Sequence, residues 1–267
     1  MAVTSGQLPA FPENGPIQAV ERVYVWELPV RISHWLVFFS IGVLSVTGWY
    51  IHSPFWISRG SGAFTMATIR FIHIVAGYVF LSALLLRAYW YFAGNYWASW
   101  RFYIPSEKQR WKTMGRMAKY YLFLRREPVR DVGHNALAGL AYTVIFIIMV
   151  WECFSGLVLY SQVRGPGLAR AVLGWAPRVV DIQYIRLFHF LGMFALLGFA
   201  IHHVYSAVLV SIEEGNGLIE SMFSGYKFVL EYELQEREVR RHIILKKSLP
   251  SRIGRWLSER KRRQKPA

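Results

Sequence analysis

Four long apolar stretches dominate the pattern of hydrophobic and polar positions along the chain. They cover about Ile32–Ile51, Ile69–Phe92, Leu137–Tyr160 and Leu187–Ile212, and each approaches the roughly 20 apolar residues needed to cross a bilayer core. Because a segment in lipid must satisfy its backbone hydrogen bonds internally, all four are predicted to be helices. The sequence therefore predicts an all-α integral membrane protein built as a four-helix transmembrane bundle.

Basic residues between the apolar stretches predict how the chain is oriented. Two Lys or Arg residues precede residue 32, nine lie in Gly94–Gly133 and thirteen lie from Lys227 onward, against six in the other two loops and their helix entrances. Cytoplasmic loops of membrane proteins carry the excess of Lys and Arg. Both termini and the middle loop are therefore predicted to be cytoplasmic, with the loops His52–Thr68 and Ser161–Asp181 on the outside.

The segments that flank the spans divide the chain into three predicted regions. Residues 1–30 are polar and rich in Pro and Gly, without the basic start and apolar core of a secretory signal, and are interpreted as a cytoplasmic leader. Residues 31–227 form the transmembrane domain. Residues 228–267 are strongly basic, which predicts a surface helix followed by a disordered cytoplasmic end. No internal repeat stands out in the sequence.

Composition narrows the possible partners and cofactors. The chain has 267 residues, 54% of them hydrophobic, and a net charge of +15. Long apolar runs interrupt the basic residues and none of the familiar nucleic-acid modules is present, so the lipid bilayer rather than nucleic acid is the expected anionic partner. The single cysteine, Cys153, excludes an internal disulfide, a four-thiolate iron–sulfur cluster and c-type haem attachment. Any cofactor must be held by other side chains.

Four histidines fall inside or at the mouths of the predicted spans: His34, His73, His189 and His203. Ionisable residues in membrane helices are costly to bury and are functional candidates by default. His189 and His203 lie 14 residues apart, which separates them by roughly 21 Å along a helix and keeps them within roughly 40° of one face. His202 points about 140° away from His189, so His203 is preferred. This spacing suits two haems stacked across the bilayer.

The predicted topology also pairs these histidines by depth. His34 and His203 lie toward the cytoplasmic side of their spans, whereas His73 and His189 lie near the outer side. The expected pairs are His73 with His189 at an outer haem and His34 with His203 at an inner haem. Two imidazoles per iron leave no open position, which favours electron transfer over oxygen chemistry. Four histidines at two depths cannot converge on one tetrahedral zinc ion.

Three arginines, Arg31, Arg70 and Arg186, precede a candidate ligand by three residues and give an R-x-x-H pattern. Residues at this spacing share a helix face, and a guanidinium can bind a haem propionate through paired hydrogen bonds. An arginine at a helix mouth can equally extend toward lipid headgroups, so both roles stay open. Gly77 and Gly192 follow their histidines by four and three residues, a position that suits either a porphyrin or close helix packing.

Other polar residues are secondary candidates. Glu152 is either a buried protonatable group or an interfacial residue. His134 is a candidate for a cytoplasmic quinone or proton-relay residue, but a solvated helix start is the favoured interpretation. Trp26, Glu27 and Arg31 are candidates for a quinone site near the inner haem. Nothing resembles a nucleophile triad, a Walker phosphate loop or a dinucleotide fingerprint.

Three segments resemble a known family, the b-type cytochrome subunits of membrane-bound nickel–iron hydrogenases. The first is Arg31–Gly48, RISHWLVFFSIGVLSVTG, which has the Arg, the His-Trp and the closing Thr-Gly of the family's first signature. The second is Arg186–His203, RLFHFLGMFALLGFAIHH, which resembles the second signature but has Phe190 and Phe194 where a basic residue and Trp are usual. The third is Gly94–Pro105, GNYWASWRFYIP, which resembles the entry into the family's long cytoplasmic loop.

This resemblance runs from about Val23 to Lys227. It implies four transmembrane helices in the bacterial cytoplasmic (inner) membrane and two haem b groups held by His34, His73, His189 and His203. It also implies that the chain passes electrons from H2 oxidation by a periplasmic hydrogenase to the quinone pool, in direct contact with the small subunit of a small and large subunit pair. Because the chain supplies no nickel ligands or iron–sulfur thiolates, it would be an electron-transfer subunit, with hydrogen activated on its partners. A higher oligomer of the complex stays open.

Two alternatives remain at this point. Cytochromes that serve formate dehydrogenase or thiosulfate reductase share the four-helix, two-haem plan and differ only in the partner. A haem-free helical anchor or transporter would instead use the histidines as proton relays. A transporter favours broken helices and repeated halves, and neither is evident in the sequence.

Overall fold

The computed structural model describes residues 20–55, 64–104, 108–126, 136–162 and 167–230. Most of the predicted leader, the predicted tail after residue 230 and His134 lie outside these residues. The described elements follow one another as β1 Val20–Tyr24, α1 Leu28–His52, α2 Thr65–Ala93, a 3-10 turn at Tyr96–Ala98, α3 Trp100–Tyr103, α4 Lys108–Tyr121, α5 Ala136–Gln162, α6 Gly167–Leu173, α7 Ala176–Val179, α8 Ile182–Glu214, α9 Leu218–Ser224 and β2 Tyr226–Leu230.

Four of these helices, α1, α2, α5 and α8, are long and apolar enough to cross a membrane. Each of the four predicted spans falls inside one of them, so this part of the fold prediction is confirmed. Many large apolar side chains on these helices point outward, including Phe92 at 80% exposure and Ile212 at 77%. An outward-facing apolar surface of this kind suits lipid and would be unfavourable in water.

The ends of the long helices follow from local sequence. Pro29 stands in the first turn of α1, where its missing N–H costs no hydrogen bond. The Asp181 side chain caps α8 by accepting from the Gln183 N–H at 2.8 Å, and Gly215 ends the same helix in a left-handed conformation with φ 60°.

The four spans pack against one another in a ring. α1 contacts α2 most extensively, α5 contacts α8, and smaller contacts join α2 to α5 and α1 to α8. Each long helix therefore has two long neighbours, and the bundle consists of two antiparallel helix pairs that face each other. This arrangement brings residues from all four helices toward a shared interior.

The structure adds a two-stranded sheet that the all-α prediction did not include. Strands β1 and β2 pair with each other, and Val23 and Val229 are buried. The chain divides into two compact units, one being Tyr24–Lys227 with all the described helices, and the other drawn from both chain ends. Pairing between strands about 200 residues apart is invisible to a local sequence pattern, which explains the omission.

Short segments at the start of α1 and the end of the helical unit hold each other through buried hydrogen bonds. The indole N–H of Trp26 donates to Ser221 Oγ at 3.1 Å, and the indole N–H of Trp35 donates to the Met222 carbonyl at 3.3 Å. The backbone N–H groups of Val25 and Trp26 both donate to the Gly225 carbonyl. Because Trp26 and Ser221 are 1% and 0% exposed, these bonds are shielded from water and fix the entry of α1.

Ser221→Ala is expected to lower the thermal stability of the detergent-solubilised protein. The change removes an acceptor of the buried Trp26 indole, which costs about 1 kcal/mol for a typical buried hydrogen bond. The measurement is thermal unfolding followed by tryptophan fluorescence. Ser224→Ala is the control, since the Ser224 hydroxyl is exposed, donating to the Glu220 carbonyl and accepting from the Tyr226 backbone N–H where water can replace both bonds. Equal destabilisation by both variants would contradict the assignment.

Candidate functional site

His34 on α1 and His203 on α8 face each other inside the bundle. Their ring centroids are 6.2 Å apart, with an angle of 59° between the ring planes. Two imidazoles that bind one metal ion from opposite sides, each with a metal–nitrogen distance of about 2 Å, place their centroids about 6 Å apart. The structure therefore brings the predicted His34 and His203 together at a separation that fits one iron between them.

His73 on α2 lies against the C-terminal half of α1. Its Nδ1 lies 2.8 Å from Thr47 Oγ1, and a Cβ added to Gly48 would sit 3.3 Å from its Cε1 atom. Thr47 is buried at 5% exposure. A hydroxyl and a glycine on adjacent positions of α1 therefore hold one edge of the His73 ring.

His189 on α8 has the same kind of surroundings. Its Nδ1 lies 2.9 Å from Ser155 Oγ, and a Cβ added to Gly156 would sit 3.3 Å from its Cε1 atom. A carboxyl oxygen of Glu152 lies 3.1 Å from the same Nδ1. His73 and His189 therefore have matching surroundings on α2 and α8, and their pairing stays a prediction.

The two hydroxyl–glycine pairs reveal an internal similarity that is not apparent in the residue order. Thr47-Gly48 and Ser155-Gly156 each contact a histidine of the helix paired with their own. The spacing repeats as well, because Thr47 and Ser155 both lie 13 residues after a residue that faces His203, namely His34 and Tyr142. Sequence reasoning missed the role of Ser155, because the repeated spacing has meaning only once Tyr142 is known to face His203.

Aromatic side chains surround His203. The Tyr142 hydroxyl lies 3.3 Å from His203 Nδ1, and the Phe199 ring stacks on the imidazole with centroids 5.5 Å apart. Tyr142 also contacts Tyr103, whose hydroxyl accepts a hydrogen bond from Arg87 at 2.9 Å. The Arg87 guanidinium lies over the ring of Tyr91, which packs edge-on against Tyr103. None of these aromatic neighbours was predicted from the sequence.

The remaining histidines in the described residues lie apart from the two pairs. His202 is exposed, and its Nε2 lies 3.3 Å from the Ser206 hydroxyl on the same helix. His52 stacks on Phe190 with ring centroids 3.9 Å apart, and Phe190 packs edge-on against Phe194. The two positions that depart from the second signature therefore belong to one aromatic cluster beside His189.

The three predicted propionate-binding arginines have different surroundings. Arg31 donates to the Phe223 carbonyl, and its buried Nε atom has no hydrogen-bond partner. Arg186 is exposed and donates to Gln183 Oε1 at 2.9 Å. Arg70 is exposed on the turn before His73. Helical spacing placed each arginine near its histidine, but the three guanidinium groups do not share one environment.

The secondary candidates are mostly engaged by other protein groups. Glu27 accepts from the Trp90 indole at 2.9 Å and from the Asn95 backbone N–H at 2.8 Å. A Cβ on Gly192 would collide with a carboxyl oxygen of Glu152, whereas one on Gly77 would meet nothing within 4 Å. Gly192 therefore makes room for Glu152, and Gly77 borders open space.

The donor set fits haem better than zinc. Among the described residues, no three His, Cys, Asp or Glu side chains converge as a metal site. His34 Nδ1 is buried without a hydrogen-bond partner, and an orphaned buried nitrogen is expected beside a group that the protein binds. Paired imidazoles on facing helices are the ligands of six-coordinate b-type haem iron.

Comparisons with known proteins agree with this chemistry. The prokaryotic cytochrome b561 family matches residues 25–225. A probable Ni/Fe-hydrogenase B-type cytochrome subunit of Bradyrhizobium diazoefficiens is 40% identical over 209 residues, which cover 76% of this chain and 85% of that protein. A protein of the same name from Rhodobacter capsulatus is 37% identical over 212 residues, 77% of this chain and 81% of the relative.

A third relative, the probable Ni/Fe-hydrogenase 1 B-type cytochrome subunit of Escherichia coli K12, is 36% identical over 215 residues, 76% of this chain and 90% of that protein. The family match covers most of the chain and includes both histidine pairs. The resemblance drawn from the two signatures is thereby confirmed. The chain belongs to the prokaryotic cytochrome b561 family, a family of membrane electron-transport proteins that bind haem.

Proposed function

We propose that this chain is a di-haem cytochrome b that anchors a nickel–iron hydrogenase to the membrane and passes electrons from H2 oxidation to the quinone pool. The observation that carries the proposal is the separation of His34 and His203 by 6.2 Å between ring centroids, together with the matching surroundings of His73 and His189. The hydrogenase partner is supported by the names of the relatives, which are Ni/Fe-hydrogenase B-type cytochrome subunits.

The four histidines would hold the two haem b groups, His73 with His189 at one level and His34 with His203 at the other. Each haem iron, when bound, supplies a carrier for one electron at a time. Two imidazole ligands on each iron would leave no position for water or oxygen. The surrounding apolar helices keep bulk solvent away from both levels and raise the energetic cost of any change in charge.

The arginines would act on the charged edge of each haem. Arg70 and Arg186 stand one turn before His73 and His189 and are exposed, so both can reach a propionate with little rearrangement. Arg31 has the same relation to His34, but its guanidinium already donates to a backbone carbonyl. We infer the same role for all three, with Arg31 held in place by α9.

The orientation and the partners follow from charge and from the relatives. We infer a bacterial inner-membrane protein with a leader of residues 1–30, a haem domain of residues 31–227 and a basic tail of residues 228–267. Both termini would be cytoplasmic by the distribution of basic residues. The hydrogenase small subunit would then contact the periplasmic side near His73 and His189, and quinone would react near the cytoplasmic side.

Haem content tests the ligand pairs directly. The purified chain is expected to hold about two haem b groups by pyridine haemochrome assay. Alanine at one member of a pair should remove one haem, because one imidazole cannot hold six-coordinate iron alone. The double variant His73→Ala/His189→Ala should still hold one haem, whereas His73→Ala/His203→Ala should hold none.

Two histidines outside the pairs provide the control for this experiment. His52→Ala and His202→Ala should both retain two haems, since neither residue faces another histidine across the bundle. If both double variants lost one haem and kept the other, the proposed pairing would be wrong. A folded wild-type chain without haem would overturn the proposed function itself.

Coupling to quinone tests the electron-transfer role. In membranes that contain the hydrogenase, His189→Ala is expected to abolish H2-dependent quinone reduction while H2-dependent reduction of an artificial dye continues. The dye takes electrons from the hydrogenase itself, whereas quinone depends on the cytochrome. Full quinone reduction by the variant, with its haem loss verified, would contradict the role.

The inferred orientation has its own test. Green fluorescent protein fused after Ala267 should fluoresce and alkaline phosphatase fused there should be inactive, because the first matures in the cytoplasm and the second only outside it. Fusions placed in the loop before α2 should behave in the opposite way. The reverse pattern at both positions would place the termini outside.

A further inference from the structure

Two buried hydroxyl groups contact His73 and His189, the histidines of the predicted outer pair, in the same way. Thr47 Oγ1 lies 2.8 Å from His73 Nδ1, and Ser155 Oγ lies 2.9 Å from His189 Nδ1. Thr47 is 5% exposed and Ser155 is 0% exposed. Because water has almost no access to these hydroxyls, their hydrogen bonds persist and can define the state of each ring.

The direction of each hydrogen bond follows from the backbone. The Thr47 hydroxyl donates to the Val43 carbonyl at 2.7 Å, and the Ser155 hydroxyl donates to the Trp151 carbonyl at 2.7 Å. A carbonyl oxygen has no hydrogen to give, so each hydroxyl hydrogen is committed to its own helix. Each hydroxyl oxygen can therefore only accept from the imidazole, and the hydrogen between them belongs to Nδ1.

A second oxygen atom lies beside Nδ1 of His189, since Glu152 Oε2 is 3.1 Å away. With its hydrogen at Nδ1, a neutral imidazole has its lone pair at Nε2, where it can bind a metal.

The hydroxyls determine where the hydrogen of each ring lies, and the neighbouring glycines determine where the ring itself lies. A Cβ on Gly48 or Gly156 would sit 3.3 Å from the Cε1 atom of the adjacent imidazole. This is tighter than ordinary van der Waals contact, so the ring rests directly on the helix backbone. Hydroxyl and glycine together hold the Nδ1–Cε1 edge of each ring.

The other pair lacks this device. His34 Nδ1 is buried with no hydrogen-bond partner, and His203 Nδ1 is 3.3 Å from the Tyr142 hydroxyl. Aromatic rings rather than a hydroxyl–glycine pair enclose these two histidines. The combination of a serine or threonine hydroxyl with an adjacent glycine is therefore specific, among these four histidines, to His73 and His189.

We propose that Thr47 and Ser155 are positioning residues that hold His73 and His189 with hydrogen on Nδ1 and so present both Nε2 atoms to one haem iron. The inference rests on the proposed function for the identity of the bound group. Hydrogen-bond acceptors on the far nitrogen orient a metal-binding imidazole and make it more basic, and their loss typically weakens the metal site about 10- to 100-fold.

The consequence for the haem has a definite sign. A more basic imidazole stabilises ferric iron over ferrous iron, so each hydroxyl lowers the reduction potential of the haem held by His73 and His189. Removing a hydroxyl should move that potential upward and leave the other haem unchanged. Thr47→Val should have the larger effect, since Ser155→Ala leaves the Glu152 carboxyl beside His189.

The test is a potentiometric titration of the α-band of the purified full-length chain, together with haem content. Thr47→Val and Ser155→Ala are each expected to shift one of the two reduction waves to higher potential and to speed haem loss to an apo-haem acceptor about tenfold. Thr47→Ser should restore wild-type behaviour, because it keeps the hydroxyl and removes only a methyl group.

Matched controls separate this role from general helix stability. Thr143→Val and Ser82→Ala remove hydroxyls that donate to the backbone carbonyl four residues earlier, at 2.9 Å and 2.8 Å, with no histidine bonded to them in the structure. Neither control should shift a reduction wave. Equal shifts in the controls and the test variants would reduce Thr47 and Ser155 to a structural role and overturn the inference.

The outcomes also distinguish the inference from the proposed function. If His73→Ala removes one haem while both hydroxyl variants keep wild-type potentials and haem retention, the ligand pairs stand and the positioning role is wrong. If the wild-type chain holds no haem, the proposed function fails first. A shift of one wave in Thr47→Val, reversed in Thr47→Ser, supports the positioning role.

Discussion

Each imidazole inside a membrane helix needs partners for two ring nitrogens, and much of this bundle is arranged around that requirement. A neutral imidazole carries one donor and one acceptor, and a buried polar atom without a partner is costly where water cannot reach it. The hydroxyls of Thr47 and Ser155 meet the donor of His73 and His189. The same bonds join α1 to α2 and α5 to α8. They therefore satisfy the imidazole nitrogens and hold the paired helices together.

Much of the architecture was predictable because it depends on local sequence. Span length and hydrophobicity are properties of consecutive residues, and the four predicted spans match the four long helices. The histidines stood out because ionisable residues are rare in such spans. The paired strands and the contact between Trp26 and Ser221 were not predictable in this way, since nothing near either residue in the sequence indicates its distant partner.

The roles of individual polar residues were harder to predict than their positions. Thr and Ser in a helix often donate to the carbonyl one turn earlier, so Thr47 and Ser155 carry no distinctive local signal until the packing of the next helix is known. The three arginines show the same limit. Their spacing from the histidines predicted a shared face, but only the folded chain shows that Arg31 meets the end of α9 while Arg186 bonds to its own helix.

The two histidine pairs therefore sit in different environments, and the difference has a consequence for electron transfer. The hydroxyls of Thr47 and Ser155 accept from His73 and His189, whereas mainly aromatic rings enclose His34 and His203, with the Tyr142 hydroxyl 3.3 Å from His203 Nδ1. Ligand hydrogen bonding lowers a haem potential, and an apolar enclosure disfavours the more charged ferric state and raises it. If both pairs hold haem as proposed, the pair at His73 and His189 has the lower potential. Under the proposed function, electrons that enter there would move downhill to the pair at His34 and His203, which is the direction required for a low-potential donor such as H2 to reduce quinone at the opposite end of the bundle.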